Sequence, residues 1–383
     1  MSGEGVFRGL GVWLACAAAC CVLLRGDPCA GQGVEEARGA LDGARALAEG
    51  GELDEALARY EALAEAHEGQ GWLLREIGQS LMDAGRFAEA SPWLDRAIKV
   101  DGLDVEAVLK AALCRDALGM SGEAARLYGR ALLLEPGHAR AAFNLGRLQI
   151  EAGELEKAEA TYRDLIARHP NHWMGLNNLG LLLVDRGQPT AALGPLRRAR
   201  ALQPGDPGVM HNLGRAHAGR REAALALGWF DRALAALGAE DLSAVRLHFD
   251  RGGALFALGR FEEACAAYRS ALSLDPGYAP ARLNLGAALA NLGRDAEAVE
   301  ALEQAVAYSA ERIAILHQIA VNHMARQDPD GALIALERAR RLDEGNARTW
   351  TLLAQAMEAR GDAAGAEVAQ RRACHLGVSA ACP

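Results

Sequence analysis

Aromatic residues are scarce in this chain of 383 residues, since Phe, Trp and Tyr together make up 5% of it. β-Branched residues and alternating polar–apolar patterns are also rare, which argues against β-sheets. A positive net charge is missing too, because the formal charge is −9 and the pI is about 5.7. Nucleic-acid phosphate would on average be repelled, so we expect no nucleic-acid partner.

Small residues are abundant instead. Hydrophobic residues reach 51% of the chain although aromatics are few, and 43 residues are glycine. Side chains this small suit helices that pack at close distance rather than a core filled by large rings. The composition therefore predicts an all-α protein.

The first 36 residues differ from the remainder. One positive charge, Arg8, precedes an uncharged apolar run over residues 9–24, which is shorter than the roughly 20 residues of a membrane-spanning helix. A cleaved secretory signal fits this pattern, with Gly26 or Gly31 before the cut. Two alternatives stay open: a lipid anchor on Cys20, and an uncleaved membrane anchor. We expect an exported protein, periplasmic or extracellular, that contacts a membrane only through this segment.

From residue 37 onward the sequence repeats with a period of 34 residues, interrupted only by an insertion at 241–244. Equivalent positions agree across the repeats: position 20 is always Ala, position 8 is Gly or Ala, and position 24 is usually Tyr, Phe or Leu. Gly near position 15 and Pro near position 32 predict where the two helices of each repeat end. The repeats are 37–70, 71–104, 105–138, 139–172, 173–206, 207–240, 245–278, 279–312, 313–346 and 347–380, followed by a tail at 381–383.

This pattern resembles the tetratricopeptide-repeat family, whose repeats carry small residues at positions 8 and 20, a bulky one at 24 and proline at 32. The resemblance implies an all-α fold, a right-handed superhelical solenoid of tandem helix-turn-helix repeats with a concave groove lined by the first helices. The leader, the repeats, the insertion and the tail account for every residue, which leaves no stretch for a catalytic domain. We therefore predict a binding protein and no enzyme.

The groove side of the first helices should carry positions 2, 6, 9 and 13. Position 6 is asparagine in four repeats, and a row of amides can donate to and accept from a peptide backbone. The row is similar to the asparagine ladder of O-linked N-acetylglucosamine transferase; a solvated polar edge is the alternative. The predicted peptide-binding residues are Asn144, Asn178, Asn212 and Asn284, with Phe143, Arg147, Asn177, His211 and Arg215 beside them.

No phosphate loop, metal motif or nucleophile elbow appears, and the ten histidines are dispersed. We expect no metal, no cofactor and no small-molecule substrate. Cys114 and Cys265 lie four repeats apart and should be buried and unpaired. Cysteine-paired helical-repeat relatives bridge cysteines eight residues apart in a similar string, and this resemblance implies a disulfide between Cys374 and Cys382. Two unpaired thiols on a tail are the alternative.

Two functions fit these observations. In the first, the protein is an interaction scaffold whose groove holds an extended peptide or a partner protein. In the second, it is a structural component of a cell-envelope assembly and uses its outer face or the solenoid edges.

Overall fold

The computed structural model describes residues 28–237, 244–308 and 312–378. Every regular element in these ranges is an α-helix, which confirms the predicted all-α class. The chain divides into two compact units, one ending at His169 and the other beginning at Pro170.

In the first unit each helix packs against the next one in the chain. The helices are α1 (Pro28–Gly50), α2 (Leu53–Ala66), α3 (Gly71–Asp83), α4 (Phe87–Val100), α5 (Val105–Ala117), α6 (Ser121–Leu134), α7 (Ala139–Glu151) and α8 (Leu155–Arg168). α1 begins inside the segment that the sequence assigns to the leader and linker. Pro28 suits this start, because its fixed φ and missing N–H are favourable at the first helical position.

The second unit continues the same pairing. Its helices are α9 (Trp173–Asp185), α10 (Pro189–Leu202), α11 (Pro207–Gly219), α12 (Ala223–Ala236), α13 (Ala244–Ala257), α14 (Phe261–Leu274), α15 (Ala279–Asn291), α16 (Asp295–Tyr308), α17 (Arg312–Ala325), α18 (Pro329–Leu342), α19 (Ala347–Arg360) and α20 (Ala363–His375). Each odd-numbered helix and its successor correspond to one predicted repeat, so the tandem helix pairs are confirmed.

The close crossing of the two helices in a pair explains why position 8 is small and position 24 is bulky. A Cβ atom added to Gly146 would lie 2.7 Å from the ring of Tyr162, and one added to Gly214 would lie 2.3 Å from the ring of Phe230. Gly252 approaches Tyr268 in the same way, at 2.6 Å. The position-20 alanines are also buried, as Ala226 at 0% exposure illustrates. Small residues on both helices therefore let a large side chain fill the space between them.

The turn inside each pair requires a left-handed residue. All the glycines at position 15 have positive φ, from 71° at Gly187 and Gly293 to 89° at Gly51. Two repeats lack this glycine, and Arg221 (φ 62°) and Gln327 (φ 58°) adopt the same conformation. The backbone geometry is thus kept where the preferred residue is missing, at the cost of a crowded Cβ.

We expect Gln327→Gly to raise the free energy of unfolding of the second unit by about 0.5–1 kcal/mol, because glycine relieves the left-handed strain. Gly293→Gln is the reverse change in a neighbouring repeat, where an added Cβ meets no atom within 4 Å. It should therefore lower the free energy of unfolding by a similar amount through backbone strain alone. Urea unfolding of both variants tests the pair. If both substitutions raised the free energy of unfolding, or both lowered it, backbone strain would not be the explanation.

The second helices end where proline predicts. α6, α10 and α14 stop two residues before Pro136, Pro204 and Pro276. At the last repeat Gly377 follows α20 with φ 97°, the left-handed conformation that glycine commonly adopts just after a helix. Residues 241–243 of the insertion and 381–383 of the tail lie outside the described residues, and so does Cys382.

None of the helices within the described ranges combines the length and the apolar composition that crossing a membrane requires.

Candidate functional site

The predicted peptide-binding residues all lie on first helices of pairs, but they are divided between the two units. Phe143, Asn144 and Arg147 lie on α7 in the first unit. The others lie in the second unit: Asn177 and Asn178 on α9, His211, Asn212 and Arg215 on α11, and Asn284 on α15. Within this unit α9, α11, α13 and α15 contact one another in order. We call their shared surface the first-helix face.

Two of the predicted amides bind tyrosine hydroxyls of the preceding repeat. Asn144 Nδ2 donates to Tyr128 Oη at 3.2 Å, and Asn284 makes the equivalent side-chain hydrogen bond with Tyr268. Burial raises the pKa of Tyr268 to about 12, and the bond with Asn284 partly opposes this rise. The amide thus satisfies a hydroxyl inside the solenoid core, a role that the sequence pattern does not reveal. An amide has a carbonyl and a second N–H in addition, so one bond leaves binding capacity.

The side chain of Asn212 is not exposed, although helical spacing predicts it on the groove side. Its side chain is buried, with 7% exposure, and its Nδ2 donates to Asn177 Oδ1 at 2.9 Å. These two predicted residues therefore join α11 to α9. Asn178 is half-buried on the same helix as Asn177.

The predicted residues of the first unit contact their own neighbours. The Phe143 ring lies 6.4 Å from the Tyr162 ring, measured between centroids. Arg147 donates to Asp116 and to Glu151, the latter at 2.6 Å. Because Arg147 binds two carboxylates, its guanidinium is not a free cation on this part of α7.

A polar cluster connects α9, α11 and α13 on the first-helix face. His211 Nε2 lies 2.6 Å from Asp250 Oδ2, and Arg215 donates to Asp185 Oδ1 at 2.7 Å. Arg215 Nε also lies 3.9 Å from Asp250 Oδ2. The His211 ring meets the Phe230 ring edge-on, with 5.7 Å between centroids. The cluster thus joins four side chains, and one of them, His211, also contacts an aromatic ring.

Beside this cluster the first-helix face opens into a recess of about 610 Å³, which we call the α11–α15 recess. Its walls are mostly apolar, and small residues leave its space open. A Cβ added to Gly253 would meet no atom within 4 Å. The recess is lined by Val184, Arg215, Ala218, Arg221, Ala223, Phe230, Phe249, Asp250, Gly253, Ala254, Ala257 and Asn284.

The structure therefore brings Arg215 and Asn284, two of the predicted residues, to one recess and places His211 beside it. Phe249, Asp250 and Arg221 were missed as site residues. A signal existed for two of them, because Asp250 occupies position 6 and Phe249 occupies position 5, the position of the predicted Phe143. Arg221 lies in the turn between α11 and α12, and this turn places it at the recess. No sequence pattern indicates this.

The ten predicted repeats contain three cysteines, Cys114, Cys265 and Cys374. Cys114 and Cys265 are buried and unpaired, as predicted. Burial raises the pKa of both thiols. Cys374 lies in the last turn of α20, and its predicted partner is outside the described residues. In the described part of the chain no three His, Cys, Asp or Glu side chains are grouped as a metal site would require.

Sequence profiles of the tetratricopeptide repeat match most of the chain. Profiles described as "Tetratricopeptide repeat" match residues 41–99, 75–119, 117–176, 150–207, 177–241 and 279–312. A profile described as "TPR repeat" matches residues 252–293. Among curated proteins, no sequence matches the chain significantly.

Two solved structures illustrate the similarity of the fold. The crystal structure of the APC/C hetero-tetramer Cut9-Hcn1 is 17% identical, with a TM-score of 0.53, over 79% of this chain and 59% of that one. The chain thus spans little more than half the length of that relative. A tetratricopeptide repeat protein from Parabacteroides merdae is 18% identical, with a TM-score of 0.52, over 66% of this chain and 98% of that one.

Proposed function

The chain belongs to the tetratricopeptide-repeat family, and from this premise we propose that its second unit binds an extended peptide segment, with one bulky apolar side chain in the α11–α15 recess. Proteins of this family generally act as scaffolds for protein interactions, and their fold is generally non-enzymatic. The single observation that carries the proposal is the open, mostly apolar recess on the first-helix face.

The apolar part of the recess supports insertion of a side chain. Phe230 and Phe249 form walls, while Ala218, Gly253 and Ala257 leave room between them. Burying a Leu, Met or Phe side chain there would contribute roughly 1.5–3 kcal/mol. Phe249 is held in place by Tyr278, with 5.4 Å between ring centroids, so the wall is already ordered before a client arrives.

The polar rim supports binding of the peptide backbone. Asn284 makes one bond to Tyr268, so its amide carbonyl and second N–H remain for a client. Arg215 and Asp250 neutralise each other in part, and each has further hydrogen-bonding capacity. Backbone groups of an extended peptide need such partners when an anchor side chain draws them out of water.

Filling the recess tests this proposal directly. We expect Gly253→Leu to reduce binding of selected peptides at least about tenfold, because the new side chain occupies the anchor position. The peptides are first selected on the wild-type protein from a random-sequence library, and affinities are then measured by fluorescence anisotropy. Selected sequences should share one Leu, Met or Phe.

Gly228→Leu is the matched control. Gly228 lies in the middle of α12, and an added Cβ there also meets no atom within 4 Å. Both changes remove a helical glycine and add the same side chain, so their effects on helix propensity are equal. Equal binding by the two variants, or selection of peptides without a shared apolar residue, would refute the recess as the anchor site.

We propose that residues 1–36 export the protein, and that Cys374 pairs with Cys382 in an oxidising compartment. A structural role in a cell-envelope assembly, through surfaces other than the recess, is the alternative function. It would be favoured if no peptide is selected and one protein partner binds outside the first-helix face.

A further inference from the structure

A basic surface lies on the second helices of the repeats that contain the recess. α10 has the sequence PTAALGPLRRARAL, which contains three arginines and no acidic residue. The neighbouring α12 adds Arg232. This concentration of cations is unexpected in a chain whose formal net charge is −9.

Two of these arginines are held against one indole ring. The guanidinium carbon of Arg200 lies 4.9 Å from the Trp229 ring centroid, and that of Arg232 lies 4.8 Å from it. Stacking orders each guanidinium while the N–H groups in its plane stay available. Within the described residues neither Arg200 nor Arg232 forms an ion pair. The nearby Asp231 accepts from Arg251 at 2.7 Å instead.

An apolar residue adjoins the stacked arginines. Leu225, Trp229 and Arg232 follow one another at helical spacing on α12, and 55% of Leu225 is exposed. We call the surface formed by Arg197, Arg200, Leu225, Trp229 and Arg232 the α10–α12 patch. It combines ordered donors for oxyanions with an exposed leucine one turn away.

We propose that the α10–α12 patch docks a short acidic polypeptide segment of a partner protein, in which carboxylates alternate with apolar side chains. Arginine forks match carboxylates in two-bond geometry, and Leu225 provides the apolar contact. The surface is distinct from the α11–α15 recess, so the two sites can be occupied independently.

The charge of the whole chain favours a short segment over a membrane or a nucleic acid. Charges are screened beyond about 8–10 Å at physiological salt, so a short segment experiences mainly the local patch. An extended anionic surface would also face the acidic remainder of the protein and be repelled by it. Carboxylates on a short, partly apolar peptide are therefore the occupants that this patch fits.

The probe is a short labelled peptide composed of Glu and Leu, tested against the full chain by fluorescence anisotropy. Arg200→Glu combined with Arg232→Glu should weaken its binding at least about tenfold. Arg269→Glu combined with Arg371→Glu changes the net charge equally at exposed positions on α14 and α20, and it should leave the affinity within about twofold. Trp229→Leu should weaken binding about threefold at constant charge, because the stacked arrangement is lost.

Several outcomes would overturn the proposal. Equal losses in both double variants would indicate only a general charge effect. Unchanged affinity in Trp229→Leu would exclude the stacked arginines as an ordered site. Binding to vesicles containing phosphatidylglycerol but not to the Glu/Leu peptide would assign the patch to a membrane, and salt-reversible self-association through the patch would assign it to a second copy.

Discussion

Substituting valine for Gly214 is expected to lower the free energy of unfolding of the second unit by about 3 kcal/mol. A Cβ at this position would lie 2.3 Å and 2.5 Å from two ring carbons of Phe230. Phe230 is 1% exposed and its ring is rigid, so the ring must leave its packed position toward the α11–α15 recess that it lines, or α11 and α12 must separate. Overpacking of this kind costs about 1–3 kcal/mol or more, which outweighs the few tenths gained in helix propensity.

Gly228→Val is the control for this prediction, because α12 offers open space at that site. It should change the free energy of unfolding by less than about 0.5 kcal/mol. A second test combines Gly214→Val with Phe230→Leu. If the two side chains compete for one space, the smaller residue should recover part of the loss, which a double-mutant cycle of urea unfolding measures. If the free-energy changes of the two substitutions simply add, the close crossing of α11 and α12 is not the cause of the lost stability.

Alkaline pH is expected to destabilise the second unit by about 2 kcal/mol through Tyr268 alone. Tyr268 is 1% exposed, and burial raises its pKa from 10.0 to about 12. Between these values the unfolded chain releases the phenol proton and the folded chain keeps it. The folded state therefore binds more protons, and stability falls as pH rises through this window.

The described part of the second unit contains no lysine, so few other groups titrate in this range. Burial also raises the pKa values of Tyr278 and of the Cys265 thiol, which adds to the loss in the same direction. Urea unfolding at about pH 9 and about pH 11.5 measures the effect. Tyr268→Phe should cost about 1 kcal/mol at neutral pH, through the lost bond with Asn284, and should reduce the alkaline loss. An unchanged pH dependence in this variant would contradict the assignment.

The fold could be predicted from the sequence because it depends on local patterns. A 34-residue period, small residues at positions 8 and 20, and a bulky residue at 24 specify two helices that cross closely, and contacts in a tandem array are mainly between neighbours. The left-handed turn was predictable wherever position 15 is glycine. At Arg221 and Gln327 the residue gives no such signal, and packing of the flanking helices imposes the conformation instead.

The site could be predicted only in part. Helical spacing predicts Arg215 and Asn284 on the groove side of the first helices, since spacing on one helix follows from 3.6 residues per turn, and both residues line the recess. The burial of Asn212, the bond between Asn284 and Tyr268, and the meeting of Arg221 with Phe249 at one recess depend on how separate helices are placed. By itself, then, the sequence determined the class of the protein and the positions of the helices in each repeat. Only the tertiary structure decided which amides bond to other side chains of the protein and where a recess stays open. Both depend on distances between side chains that are far apart in the chain.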